Sequence, residues 1–535
     1  MSESLSPPVN QAHGIARAAA IIALGNVASR VLGLAREAVI SDLFGASGLV
    51  SAFRIASNVP MMIYDLLVGG MLSAALVPVF SQVEEQEGRG ALWALFGRVV
   101  SLIALLLAVI VLALELSAPQ VASLMGGGYE PELQAALARM IRIITPAVLF
   151  FGLSGAVTGL LYALKRFTFT AFAAAVFNLG VVTAAPLLAG RLGAYSLPVG
   201  VLLGSVLQLL VQAPGLRGVR PRLGLDFLSP AFRRILVLYL PIALGVAVSN
   251  VQVIIDRRLA SGTGEQSVAW MANATTLIQL AHGLVAVAIA QAVLPTLSRQ
   301  SAAGDQAGFR ATLGMGLRLV LVLIVPATLA FLVLGKPVIE LFFEHGAFTP
   351  ADSLQTTWAL RGYLLGLVFA AVDWPLNFAF YARQNTITPA LVGVLSVVVY
   401  LIVALLLVRP LGMMGLVLAD SAKHMSHALT MLFLTHRRLG RLGGLGLVPA
   451  AGKALVAAGG MAGLMYVARR GVESPAPGGL VGEVVLVGVV AAVGIVAYLV
   501  LARVLRLDEI SMLQGLIRRR RGRPPTPAGG GGAQS

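Results

Sequence analysis

Residues 99–117 read VVSLIALLLAVIVLALELS, with Glu115 the one ionisable group among them. A run this long can cross the roughly 30 Å hydrocarbon core of a bilayer as a helix. It is too long and too evenly apolar for a barrel strand, which alternates over about ten residues. Lipid offers the backbone no hydrogen bonds, so the segment must satisfy its own as a helix. The same reading along all 535 residues gives fourteen helical segments, near 15–43, 49–81, 92–117, 136–164, 168–190, 195–214, 230–260, 266–297, 310–334, 354–383, 387–408, 412–436, 450–468 and 480–505. The expected fold class is an all-α integral membrane bundle. Composition points the same way: 58% of residues are hydrophobic and 12% charged, more apolar surface than a soluble fold can hide.

The net charge of +16 is scattered between apolar runs, so topology explains it better than a nucleic-acid partner, and none is expected. With no cysteine, disulfides, thiolate nucleophiles, zinc ribbons and iron–sulfur clusters are excluded. Residues 1–14 are polar and lack the order of a cleavable signal peptide, so the first segment is expected to be retained. Twenty-one Lys and Arg residues, Lys165, Arg166, Arg437 and Arg438 among them, fall in the even-numbered loops and the tail, against seven in the odd-numbered loops. The positive-inside rule then places both termini in the cytoplasm. The basic, Gly- and Pro-rich tail, residues 507–535, is expected to stay unpacked as a topology anchor or to rest on anionic membrane lipids.

An internal repeat emerges at a nearly constant offset. Segment 2 ends LVPVFSQ around Pro78 and segment 8 ends VLPTLSR around Pro295, 217 residues later; Tyr162-Ala163 recurs as Tyr381-Ala382 at 219, and Leu24-Gly25 as Leu244-Gly245 at 220. Such self-similarity predicts a duplicated six-helix unit, with lobes at 15–225 and 226–440 and two further helices in 441–506. Six is even, so the halves share orientation, and substrate is expected between them. Pro60, Pro146, Pro241, Pro326 and Pro375 supply kinks inside the segments.

Ionisable side chains at membrane depth mark the candidate site. Segment 1 carries Arg30, Arg36 and Glu37, and the helical wheel brings Arg30 and Glu37 to nearly one face, which allows an Arg30–Glu37 pair while Arg36 points elsewhere. In segment 2, Arg54, Asn58 and Asp65 form a polar stripe, read either as a ligand site or as an Arg–Asp network. Arg139 and Arg142 fit snorkelling. Asp256, Arg361, Asp373, Asp420 and His424 form a second group, for ion coupling or structural pairing; Asn377 and Tyr381 follow Asp373 on its helix, and Lys423 and His427 share the arc of Asp420. Two histidines and an aspartate on one helix are thin support for a metal, and none is expected. No G-x-x-x-x-G-K-[ST], H-E-x-x-H or G-x-S-x-G occurs, so neither an enzyme, a cofactor nor ATP-driven transport is expected.

The stretch Ala28-Ser29-Arg30-Val31-Leu32-Gly33-Leu34-Ala35-Arg36-Glu37 resembles the SRxLGxxRD/E signature of the MurJ/MviN family, bacterial lipid II flippases of the multidrug/oligosaccharidyl-lipid/polysaccharide exporter superfamily. Leu76-Val77-Pro78, Leu164-Lys165-Arg166-Phe167, Asn178, Leu294-Pro295, Gly346-Ala347-Phe348 and Phe380-Tyr381-Ala382-Arg383-Gln384 extend the likeness over roughly residues 15–440. The resemblance implies translocation of undecaprenyl-diphosphate-linked peptidoglycan precursor from the inner to the outer leaflet of a bacterial cell membrane. It also implies a cationic cavity in which Arg30 and Arg36 bind the diphosphate, with cell-wall synthesis proteins as candidate partners. The family's usual Asp, Arg, Glu and Arg are replaced here by Ser51, Tyr64, Gly69 and Thr276, while Arg54 lies one turn from Ser51. Some members bind a cation between helices 7 and 11, but residues 387–408 hold no carboxylate, so none is expected. Three alternatives stay open: a cation-coupled small-molecule exporter of the same superfamily, a flippase for another polyprenyl-linked glycan, and a non-transporting envelope scaffold.

Overall fold

The computed structural model describes residues 9–66, 76–221, 224, 230–439, 446–473, 479–507 and 509, and among these it contains no strand. In chain order the helices are α1 (Val9–Phe44), α2 (Gly48–Tyr64), α3 (Val77–Gly126), α4 (Pro131–Ile144), α5 (Ala147–Ala163), α6 (Phe167–Ala171), α7 (Ala173–Leu192), α8 (Ser196–Leu210) and α9 (Pro230–Ser261). They continue as α10 (Ser267–His282), α11 (Ala288–Ala302), α12 (Gln306–Phe343), α13 (Pro350–Ala382), α14 (Ile387–Leu411), α15 (Met413–Leu439), α16 (Leu447–Glu473) and α17 (Leu480–Val504). The chain is an all-α membrane protein. Among the described residues, nine helical stretches are long and apolar enough to cross a membrane. Neither α1 nor α15 is among them: Arg30, Arg36 and Glu37 interrupt the first, and Asp420, Lys423, His424 and His427 the second.

Where expected segments and helices differ, local chemistry explains it. Within segment 2, α2 spans Gly48–Tyr64 and Pro78 stands in the first turn of α3, where a missing N–H costs nothing; residues 67–75 lie outside the described residues. α3 then runs through both that end and segment 3, bent at Gly88, whose φ of 81° glycine tolerates. Segment 4 divides into α4 and α5 at Pro146, which cannot donate to the helix before it. α1 begins at Val9, within the stretch expected to be a polar tail.

Two local geometries recur at the repeat offset. After α5, the N–H of Lys165 reaches the Tyr162 carbonyl (3.0 Å) and that of Arg166 the Leu161 carbonyl (2.7 Å); after α13, Gln384 reaches Tyr381 (2.9 Å) and Asn385 reaches Phe380 (3.0 Å). Lys165 and Gln384 are left-handed at φ 56° and 57°, the helix-ending geometry usually given to glycine. Residues 65 and 66 also adopt a π turn, as do Gly283–Val287 217 residues on.

By packing, the chain forms two compact units. One comprises Met1–Leu280, Ile339–Tyr363 and Val394–Ala422; the other Ala281–Val338, Leu364–Gly393 and Lys423–Ser535. In the first, α1 packs on α7, α2 on α4, and α3 on α5, while α7 and α8 form a hairpin. Helices gain no hydrophobic advantage from meeting in lipid, so small residues that permit close backbone approach hold them together. Accordingly, a Cβ on Gly180 would lie 2.6 Å from Gly204 Cα, and one on Gly25 of α1 2.1 Å from the Ala171 carbonyl oxygen. The Gly346-Ala347-Phe348 motif has a similar role. The Ala347 N–H donates to the Asp42 carbonyl beyond Arg36 and Glu37 on α1 (2.8 Å), and a Cβ on Gly346 would meet that oxygen at 2.2 Å. In the second unit α16 pairs with α17, Tyr498 donates to the Val322 carbonyl (2.5 Å), and Arg318 meets Glu509 at 2.7 Å.

Gly204→Val is expected to cost about 1–3 kcal/mol or more, because its Cβ would sit 2.6 Å from the Phe177 carbonyl oxygen. Gly190→Val on α7, where a Cβ meets nothing within 4 Å, is the control. Unfolding midpoints of both purified variants check this, with only the first falling.

Candidate functional site

The polar residues of α1 and α2 gather around one buried carboxylate. Glu37 is 2% exposed and its Oε1 accepts from Arg36 through Nε at 3.0 Å and Nη2 at 2.7 Å. Its Oε2 is in contact with Arg54 Nη2. Arg36 Nη1 also donates to Asn178 Oδ1 on α7 (3.0 Å), and Asn178 Nδ2 ties back to the Ser29 carbonyl on α1 (3.0 Å). Arg54 lies within 3.5 Å of Asn273 Oδ1 on α10, whose Nδ2 donates to Ser41 Oγ on α1 (3.2 Å). Arg30 is separate: its Nη1 donates to the Gln279 carbonyl on α10 (3.2 Å). All of these residues belong to the first unit.

Depth makes the arrangement unusual. At 1.5 Å per residue, Arg36 lies about 12 Å and Arg30 about 21 Å from the Phe44 end of α1, and Arg54 about 9 Å from the start of α2. Charges that far from a helix end, among apolar residues, are retained only where groups face them. At Glu37 two guanidinium groups face one carboxylate, which leaves one positive charge; Arg30, apart on α1, adds another. Further donors stand unused: Arg54 Nε and Asn58 Nδ2, one turn apart on α2, are buried without an acceptor among the described residues.

The structure corrects two sequence expectations. Glu37 pairs with Arg36 and Arg54 rather than Arg30, since seven residues of rise put Arg30 about 10 Å up the axis although it shares the angular sector. Arg54 likewise makes no network with Asp65. Eleven residues separate them by about 16 Å, and Asp65 is exposed at the α2 C-terminus, its N–H bonded to the Met61 and Met62 carbonyls. Both expectations weighed angle and ignored axial distance. Asn178, quoted above only as part of the family likeness, and Asn273 complete the cluster, while Gln279 meets Arg30 through its backbone carbonyl, which no side-chain pattern signals.

The substituted family positions have other employment. Ser51 is fully buried and its Oγ accepts from the Ala269 N–H on α10 (3.2 Å). Tyr64 stacks edge-on against Phe151, centroids 6.1 Å apart, and Thr276 bonds the Ala272 carbonyl of its own helix (3.0 Å). Gly69 lies outside the described residues.

The second candidate group is dispersed. Asp256 on α9 accepts from Tyr400 of α14 and meets Arg257 at 3.2 Å, with Asp420 and Tyr363 in the same electrostatic neighbourhood. In the other unit Asp373 takes His427 Nδ1 at 2.6 Å, rather than His424, and Asn377 Nδ2 at 3.0 Å. Arg361 joins neither cluster; it is exposed, stacked over Trp358 at 5.2 Å. Among the described residues no three His, Asp or Glu side chains gather to hold a metal.

Comparison with known proteins matches residues 40–502 to the family described as "Lipid II flippase MurJ". The lipid II flippase MurJ of Burkholderia cenocepacia is 32% identical over 422 residues, covering 77% of this chain and 82% of that protein. A probable lipid II flippase MurJ of Vibrio cholerae is 30% identical over 432 residues, covering 77% and 81%. Among solved structures, a lipid II flippase MurJ in an inward closed conformation superposes with a TM-score of 0.77 at 23% identity, over 91% of this chain and 99% of that one. An inward-facing multidrug resistance MATE family transporter of the MOP superfamily gives 0.66 at 16% identity, over 77% and 95%. These two likenesses speak for fold alone. The family match and the 32% relative decide membership: the chain belongs to the MurJ family of lipid II flippases.

Proposed function

We propose that this protein translocates lipid II, the polyprenyl-diphosphate-linked peptidoglycan precursor, from the inner to the outer leaflet by alternating access. Its diphosphate binds at Arg30, Arg36 and Arg54. The observation that carries the assignment is the charge imbalance on α1 and α2: Glu37 serves both Arg36 and Arg54, which leaves one surplus positive charge, and Arg30, held apart by the Gln279 carbonyl, adds a second. A diphosphate diester brings about two negative charges and accepts forked guanidinium hydrogen bonds, which exchange its lost hydration for fixed donors. Glu37 keeps Arg36 and Arg54 aligned in the meantime. Arriving phosphate oxygens take over these donors and recruit Arg54 Nε and Asn58 Nδ2.

Because the site reads the diphosphate, it serves any polyprenyl-diphosphate glycan, and the sugar must be selected elsewhere. In this reading both termini are cytoplasmic, the lobes at 15–225 and 226–440 rock about the site, and an ion gradient or the membrane potential biases the cycle. Asp65, exposed and about 16 Å from Arg54 along α2, takes no part in binding the diphosphate.

Arg36→Gln with Arg54→Gln, expressed at the normal level, is expected not to support growth of a strain depleted of its own lipid II flippase, whereas the parent does. Growth equal to the parent's contradicts the site. Glu37→Gln strands two partly buried guanidinium groups. It should lower stability by about 3–5 kcal/mol, measured as a reduced unfolding midpoint in detergent; an unchanged midpoint means that Glu37 does not hold the arginines.

A further inference from the structure

The duplicated turn exists in two versions, and they differ in how their cations are satisfied. In the first, after α5, Arg166 Nη1 donates to the carbonyls of Gly215 (2.7 Å) and Arg217 (2.9 Å), so the chain closes over its own arginine. In the second, after α13, the corresponding region opens into a cavity of about 180 Å³ lined by Ala379, Phe380, Arg383, Asn385 and Arg438. Among the described residues no carboxylate lines it. Arg438 lies over the Phe380 ring at 5.5 Å and makes no hydrogen bond or ion pair with a described residue. Arg383 lies over Phe309 at 5.0 Å and donates to Gln306 Oε1 (2.5 Å). Asn385 uses its Oδ1 to cap α14 at the Thr388 N–H (3.0 Å), which leaves its amide NH₂ as a third donor.

Two guanidinium groups that repel each other, restrained by aromatic rings around a small cavity, form a receptor for one tetrahedral anion. The surroundings say what carries that anion. Immediately after the cavity, Ile387 and Leu391, on one face of the first turns of α14, are 71% and 65% exposed. A polar, cationic recess at a helix end that continues into a bare apolar strip matches an amphiphile lying along the helix with its headgroup in the recess. We infer that Arg383, Arg438 and Asn385 form a binding site for the phosphate of an anionic phospholipid, whose acyl chain lies along Ile387 and Leu391. This site is separate from the arginine cluster of α1 and α2 and does not depend on the reading of that cluster.

The test uses the full-length protein in neutral detergent, with native mass spectrometry to count retained phosphatidylglycerol, phosphatidylcholine of the same acyl chains, and inorganic phosphate. The parent should retain phosphatidylglycerol roughly tenfold better than phosphatidylcholine, and Arg383→Gln with Arg438→Gln should abolish the difference. Arg437→Gln, whose guanidinium sits over Phe433 outside the cavity, should preserve it, as should Arg36→Gln with Arg54→Gln. Undiminished preference in the double variant overturns the proposal. So does an equal loss in Arg437→Gln, which means diffuse surface charge, or displacement of the lipid by millimolar inorganic phosphate, which means a free-anion site. If the double variant does not purify as one species, Arg438→Gln alone carries the same expectation, because its guanidinium makes no hydrogen bond or ion pair with a described residue and rests over the Phe380 ring.

Discussion

One carboxylate shared by two guanidinium groups organises the membrane interior of this protein. Glu37, buried between Arg36 and Arg54, ties α1 to α2 in a medium where an unpaired charge is prohibitively costly. Yet one carboxylate cannot neutralise three arginines. The cluster therefore carries surplus positive charge, and the proposed diphosphate is the anion that would balance it. Two asparagines fix the geometry: Asn178 braces Arg36 from α7 and Asn273 faces Arg54 from α10. The site is thus held by four helices.

Those helices reach one another because small residues let them. Ser51 is short enough for its hydroxyl to cap the Ala269 N–H across the α2–α10 crossing, and Gly25 seats α1 against the Ala171 carbonyl. An aspartate at position 51 would bring a second carboxylate toward this crossing. Serine there leaves the cluster more cationic and gives Arg54 to Glu37 alone. Tyr64 and Thr276 show the same economy: their side chains have joined an aromatic stack and a helix backbone, and neither contributes charge.

Much of this architecture is written plainly in the sequence. Among the described residues, the apolar segments coincide with a helix or a consecutive pair of helices, because hydropathy and length act locally and lipid permits no other backbone. One repeated motif reaches backbone detail: the left-handed Lys165 and Gln384 stand 219 residues apart. Partners across helices were harder to read. Angular periodicity placed Arg30 beside Glu37 and Arg54 beside Asp65, but hydrogen bonds depend on rise along the axis and on what neighbouring helices present. Neither Asn178 nor Asn273 announces its partner, since tertiary packing chooses it. Breaks at Gly88 and Pro146 could be suspected from composition, whereas the join of segment 2's end to α3 could not.

The central claim is that the arginines around Glu37 recognise a diphosphate and not the lipid attached to it. Equilibrium binding of a short-chain polyprenyl diphosphate and of its parent alcohol, to the full-length protein and to the Arg36→Gln, Arg54→Gln double variant, measures this directly. The account predicts diphosphate binding that falls at least about tenfold in the variant, a loss of 1.4 kcal/mol or more, with alcohol binding unchanged. Diphosphate binding of equal strength in both proteins would contradict it.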